Sequence, residues 1–137
     1  MSVISELIRN ESDGTVSFGD YSLSEKKKLD NFQHAGDSLK VKTYADITKL
    51  ERNGLFVYES VPGTAVGHFS STPEEISFTV EGQEDAQITL ELEPDTSYDI
   101  IVNDIDAGQM KTNLGGKISF SVELDPGSTT TVTIKKI

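Results

Sequence analysis

Two histidines, His34 and His68, are the only imidazoles in this 137-residue chain, and 23 Asp and Glu residues supply its carboxylates. A histidine can act as a general base when a carboxylate orients one ring nitrogen and a nucleophile meets the other. Folding would have to bring Asp20, Asp37 or Glu59 to His34 or His68 for that arrangement, because no local spacing supplies it. No serine stands in a Gly-x-Ser-x-Gly turn. A hydrogen-bonded or exposed structural histidine is the expected role of both. Glycoside hydrolysis needs two carboxyl groups across one bond in unlike environments. The candidate pairs are Glu74-Glu75, Glu84-Asp85 and Asp104/Asp106. Neighbours on a strand point to opposite faces, so solvated turns and strand borders account for them better than acid–base work.

Asp99, Asn103, Asp104 and Asp106 gather oxygen ligands near a strand end. Calcium wants six to eight converging oxygens, and the twelve-residue helix-flanked loop pattern is missing. A tight hairpin is the expected use of this segment. Neither a Gly-rich phosphate loop nor a Gly-Lys-Ser/Thr signature is present. With no cysteine at all, disulfides, thiolate nucleophiles and cysteine-ligated metals are excluded. No catalytic, cofactor-binding or metal-binding residue is therefore assigned, and no enzyme activity is expected.

Two surface chemistries remain. Lys26-Lys27-Lys28, joined by Lys40 and Lys42, can make a basic patch or a solvated surface. Tyr21, Tyr44, Phe56 and Tyr58 are candidate platforms for the apolar faces of a sugar, although Phe56 and Tyr58 lie in a core-like run. The net charge of −11 is unevenly spread. Residues 1–58 sum to −1, residues 59–110 carry 12 acidic groups and no basic one, and residues 111–137 sum to +2. The acidic middle would repel a phosphate backbone, so nucleic acid is not an expected partner. The same charge blocks, and the open edges of a sheet protein, favour a homodimer or another protein partner.

The elements that must position these groups read as strands. Ile76–Val80, Ala86–Leu92, Tyr98–Val102, Gln109–Thr112, Ile118–Val122 and Thr131–Ile134 alternate apolar and polar residues between turn signals. Ile76, Phe78, Val80, Ile88, Leu90, Leu92, Ile118, Phe120, Val122, Val132 and Ile134 form the expected inward set. Asn113–Gly116 and Asp125–Ser128 are expected to connect paired strands. Upstream, Val3–Arg9, Thr15–Phe18, Tyr21–Leu23, Leu39–Tyr44, Leu55–Tyr58 and Ala65–Phe69 are strand candidates. Short helices compete at residues 24–33, where Ser22 and Glu25 have capping-box spacing, and at residues 46–52. The expected fold is an all-β antiparallel sandwich. Ser70-Ser71-Thr72-Pro73 marks a soft division into a β-rich part, residues 1–72, and a second sheet part, residues 73–137; one continuous domain is the alternative.

Tyr98-Asp99-Ile100-Ile101-Val102-Asn103, then Gly108, then Thr112-Asn113-Leu114-Gly115-Gly116-Lys117-Ile118-Ser119-Phe120-Ser121-Val122 resembles the last hairpins of immunoglobulin-like or fibronectin-like accessory domains. It is also similar to the all-β C-terminal modules of some carbohydrate-active enzymes. The resemblance spans residues 86–137 and implies a structural or accessory role, with carbohydrate binding as the alternative. The whole chain resembles a group of small uncharacterised bacterial proteins, some bearing an endosialidase-type label. That label implies arginines around an acidic sugar, but Arg9 and Arg52 are the only two here. The chain is also too short for the usual catalytic propeller.

No run of about 18 apolar residues is present, so no membrane-spanning helix is expected. The start, Met1-Ser2-Val3-Ile4-Ser5-Glu6, lacks the basic and apolar regions of a signal peptide, and cytoplasmic residence is the default expectation.

Overall fold

The computed structural model describes residues 3–137, so the Met1-Ser2 start of the leader reading lies outside the described residues. Thirteen strands and no helix make up this part of the chain. In chain order they are β1 (Ile8–Asn10), β2 (Val16–Phe18), β3 (Lys27–His34), β4 (Asp37–Tyr44), β5 (Ile47–Arg52), β6 (Leu55–Val61) and β7 (Ala65–Ser71). They continue as β8 (Glu75–Glu81), β9 (Ala86–Glu91), β10 (Ser97–Val102), β11 (Ile105–Lys111), β12 (Lys117–Val122) and β13 (Thr130–Lys136). Two antiparallel sheets result: a seven-stranded one in the order β1-β2-β7-β8-β13-β10-β11, and a six-stranded one in the order β12-β9-β6-β5-β4-β3. The expected antiparallel sandwich is the architecture observed.

Alternation explains the layering. Ile76, Phe78, Val80, Ile88, Leu90, Ile118, Phe120, Val122, Val132 and Ile134 are all buried between the sheets, and Leu92 packs at their margin. Burying each such side chain contributes about 1.5–3 kcal/mol. Strands from residues 1–72 and from residues 73–137 share both sheets and one core. Ser70 and Ser71 end β7, and Thr72 closes the hairpin to β8 by exchanging backbone bonds with Glu75.

The sequence expectations need correction in four places. Residues 24–33 and 46–52 form no helix: β3 and β5 occupy them as neighbours of β4. Their apolar residues are too sparse for a helical stripe, whereas alternation serves a sheet with one wet face. Val3–Arg9 yields a strand only from Ile8, because Leu7 turns the chain at φ 74° and donates its N–H to the Ile4 carbonyl. Tyr21–Leu23 is turn rather than strand, with Asp20 accepting from both the N–H and the hydroxyl of Ser22. Asn113–Gly116 and Asp125–Ser128 do not connect paired strands. The first leads from β11 to β12 and the second from β12 to β13, each passing from one sheet to the other. Turn composition marks where a chain reverses, not which sheet it joins next.

A chain of hydroxyls lies inside the sandwich. Thr43 Oγ1 meets Thr48 Oγ1 at 2.8 Å, and Thr48 Oγ1 also donates to the Thr64 carbonyl at 2.8 Å and accepts the Thr64 N–H at 3.0 Å. Thr64 Oγ1 meets the Tyr58 hydroxyl and Ser60 Oγ, each at 2.8 Å. Backbones approach closely here: a Cβ on Gly19, whose φ is +104°, would stand 2.3 Å from the Thr64 carbonyl oxygen, and one on Gly63 would stand 2.0 Å from that of Tyr44. Mutual pairing lets these polar groups stay buried without the desolvation penalty of orphaned ones.

Candidate interaction face

The fold sets His34 directly opposite Asp37 across β3 and β4, one of the pairings the sequence offers, but the hydrogen bonds of both histidine rings go elsewhere. His34 Nδ1 meets Asn10 Oδ1 at 2.5 Å, joining β3 to β1. His68 Nδ1 meets Asp13 Oδ2 at 3.0 Å and Thr15 Oγ1 at 3.2 Å. Carboxylate and hydroxyl thus converge on one ring nitrogen, whereas a relay needs them on opposite nitrogens. Thr15 hydrogen bonds hold the Asp13 carboxyl down at about 2, with His68 adding to the effect. Asp37 accepts from Asn53 Nδ2 at 3.0 Å, and Glu59 stands opposite Lys49.

One member of each of two acidic pairs, Asp85 and Asp106, serves the backbone. Asp85 Oδ1 accepts the Leu124 N–H at 3.0 Å, Asn103 Oδ1 that of Thr131 at 2.9 Å, and Asp106 Oδ1 that of Gly108 at 2.8 Å. Asp104 supports the hairpin at φ 65°, and Asp99 sits opposite Lys135. No three Asp, Glu or His side chains converge as metal ligands among the described residues. Sequence reading missed one cluster. Glu11, Ser17, His68, Glu81 and Thr129 line a hollow on the outer side of the seven-stranded sheet. These five residues are 6 to 118 apart in sequence, so no local signal marks the cluster. Ser17 Oγ and Arg9 donate to Glu11, lowering its pKa, and Thr129 donates to buried Glu81 at 3.2 Å.

Of the four candidate sugar platforms, Tyr58 is withdrawn by burial. It is wholly enclosed, packs edge-on against Phe18 at 5.3 Å between centroids, and burial raises its hydroxyl pKa. Phe56 is half-buried on the outer side of the six-stranded sheet, with the ammoniums of Lys117 and Lys49 at 4.9 Å and 5.8 Å from its ring centroid. Tyr21 and Tyr44 are half-buried.

The strongest constellation is basic. Lys28 stands opposite Lys42 across β3 and β4, and Lys42 opposite Lys49 across β4 and β5. Directly paired residues share one sheet face, and Val41 and Leu50 point into the core between them, so the three lysines form a row on the outer face. Lys28, Lys40, Lys42, Lys49 and Glu51 line one shallow hollow there. Alternation splits the Lys26-Lys27-Lys28 run: Lys27 pairs with inward-facing Thr43 and leaves this face. Desolvation, and then Lys26, Lys49, Lys28 and Lys40 in turn, lower the Lys42 pKa. Among the described residues, none of Lys26, Lys28, Lys40, Lys42 and Lys49 makes an ion pair, although the chain carries 23 carboxylates.

No protein-family model, no curated protein and no solved structure matches this chain.

Proposed function

We propose that this protein is a non-catalytic β-sandwich module that binds an acidic surface of a protein partner on the lysine face of β3, β4 and β5. The carrying observation is the row Lys28–Lys42–Lys49, flanked by Lys26 and Lys40: Glu51 stands opposite Lys40 and Glu59 opposite Lys49, yet none of the five lysines makes an ion pair among the described residues. Like charges placed directly opposite on a sheet cost stability. A chain of net charge −11 that keeps three in line holds a local field opposite to its own. Phe56 at the margin adds an apolar contact beside the charges. An acidic protein suits this face better than nucleic acid, since the surrounding surface repels a long polyanion. The carbohydrate-binding alternative loses Tyr58 and finds Phe56 flanked by ammoniums.

Titration of the protein with a short polyglutamate peptide, no longer than the lysine row, tests the reading. Binding should weaken steeply between low and physiological salt. It should disappear when Lys28, Lys42 and Lys49 are all changed to Ser. Equal binding by that triple variant would refute the assignment of the face.

A further inference from the structure

Four strands end the two sheets, and three of them are guarded. β1 is three residues long. β3 carries lysines and a register shift between Leu29 and Phe32, with Asn31 at φ 58°. β11 is broken by a shift opposite Gly108, which has φ 116°. Short length, lysines and bulges are the ordinary means by which sheet edges avoid pairing. β12 is the least guarded: six consecutive unshifted pairs tie it to β9, it contains no Gly or Pro, and its one lysine, Lys117, stands at its first position. Every second residue of such an edge turns its N–H and C=O away from its neighbour.

We infer that β12 pairs antiparallel with β12 of a second copy, with Phe120 opposite itself, joining two six-stranded sheets into one. Directly opposite residues must lie on the same face. The alternation of buried Ile118, Phe120 and Val122 therefore puts the two-fold axis on a residue and not between two, and the registers with the longest overlap over residues 117–123 are those centred on Ser119, Phe120 or Ser121. Exposure continues to alternate through Leu124, which puts Glu123 on the outer face with Lys117, Ser119 and Ser121. Centring on Phe120 sets Lys117 opposite Glu123 of the other copy, and the two-fold axis repeats this pair at the far end. It also sets Ser119 opposite Ser121. Centring on Ser119 sets Lys117 opposite Ser121 instead, and centring on Ser121 sets Glu123 opposite Ser119. Charge complementarity thus selects one register.

The flank beside β12 fits an occupied site. Ile105, Ala107, Ser121, Val122 and Glu123 line one open hollow shared by β11 and β12. Ile105 is 71% exposed, Met110 38% and Leu114 86%, so large apolar side chains stand exposed at both ends of β11 and in its turn into β12. The joined sheets bring the two copies of this flank towards each other. The lysine row lies across the sheet on β3 to β5, and the two sites meet only at Lys117, which pairs with Glu91 in its own chain and stands over Phe56 at the margin of that face.

Sedimentation equilibrium tests association, and charge reversal tests the register. Lys117→Glu or Glu123→Lys alone should weaken dimerisation about tenfold, since each turns two attractive exposed pairs into repulsive ones. The double exchange Lys117→Glu with Glu123→Lys should return it to within about twofold of the parent protein. The chain has no native cysteine, so single replacements give a clean cross-linking signal. A mixture of Ser119→Cys and Ser121→Cys proteins should form an intermolecular disulfide faster than either variant alone. All variants are compared with the parent by circular dichroism and melting. A single-chain mass from micromolar to near-millimolar concentration would overturn the proposal. So would cross-linking of Ser119→Cys or Ser121→Cys alone at the rate of the mixture, or no rescue by the double exchange in a folded protein.

Discussion

Lys42 stands directly opposite Lys28 on one side and Lys49 on the other, so a half-buried lysine is held between two of its own kind. Desolvation first, and then the neighbouring lysines, lower the Lys42 pKa, so the fold disfavours its charged form. That penalty is fully present below the lowered folded value and is relieved as pH rises through it towards the unfolded value.

Lys42→Thr should accordingly stabilise the protein by about 0.5–1 kcal/mol, because Thr suits a strand and removes two like-charge pairs. Urea unfolding at low salt measures the gain. Added salt should shrink it by screening the repulsion in the parent protein. The same change should weaken polyglutamate binding. A stabilised variant with undiminished binding would separate the row from the proposed function.

Asp13 should titrate at about 2 in a carboxyl-resolved NMR experiment. A depressed folded value means that its interactions stabilise the fold above the unfolded carboxyl value and are lost as pH falls through the folded one. Thr15→Val removes the hydroxyl that is part of the largest cause of the shift, so Asp13 should move up towards the ordinary range. An unchanged titration in this variant would contradict the role given to Thr15.

Thr48→Val keeps the shape of the side chain but leaves the buried Thr64 N–H without its acceptor. The expected loss is about 2–3 kcal/mol. Tyr58→Phe should cost less, about 1 kcal/mol, because Thr64 Oγ1 keeps Ser60 as a partner. Chemical denaturation of both variants checks the order, and the reverse order would show that the hydroxyl chain is held mainly from its Tyr58 end.

A broad glycan panel should yield no free sugar or sialic acid above a matched blank. The hollow holding Glu11 and Glu81 is the place to test, since it is where sheltered carboxyl groups meet a serine and a histidine. Turnover that co-purified with the folded protein and vanished in Glu81→Gln would overturn the non-catalytic reading.

Much of the architecture was legible because alternation has a direct cause. A strand with one wet face must repeat every two residues, and Ile76–Val80 and Ile118–Val122 do so without interruption. The capping-box spacing of Ser22 and Glu25 misled, since it describes a helix start that no apolar stripe follows. Pairing across space was not legible: nothing local says that β12 joins β9 or that His68 reaches Asp13. The lysine face was half legible. Lys26, Lys28, Lys40 and Lys42 could be grouped from the sequence, but Lys49 lay in a segment read as an alternative helix. Only its pairing with Lys42 completes the row.

The position of β13 has a consequence for synthesis. This strand comes last in chain order yet lies inside the seven-stranded sheet, between β8 and β10. Until residues Thr130–Lys136 leave the ribosome, β8 and β10 have no common neighbour and each keeps an open edge. The sheet therefore cannot close during translation of the preceding strands, whatever follows this segment. Its completion requires a late, long-range insertion, the kind of step that makes β-rich folding slow and leaves nascent chains prone to mispairing. A nascent chain stalled before β13 emerges is the form in which a chaperone would meet an unfinished sheet.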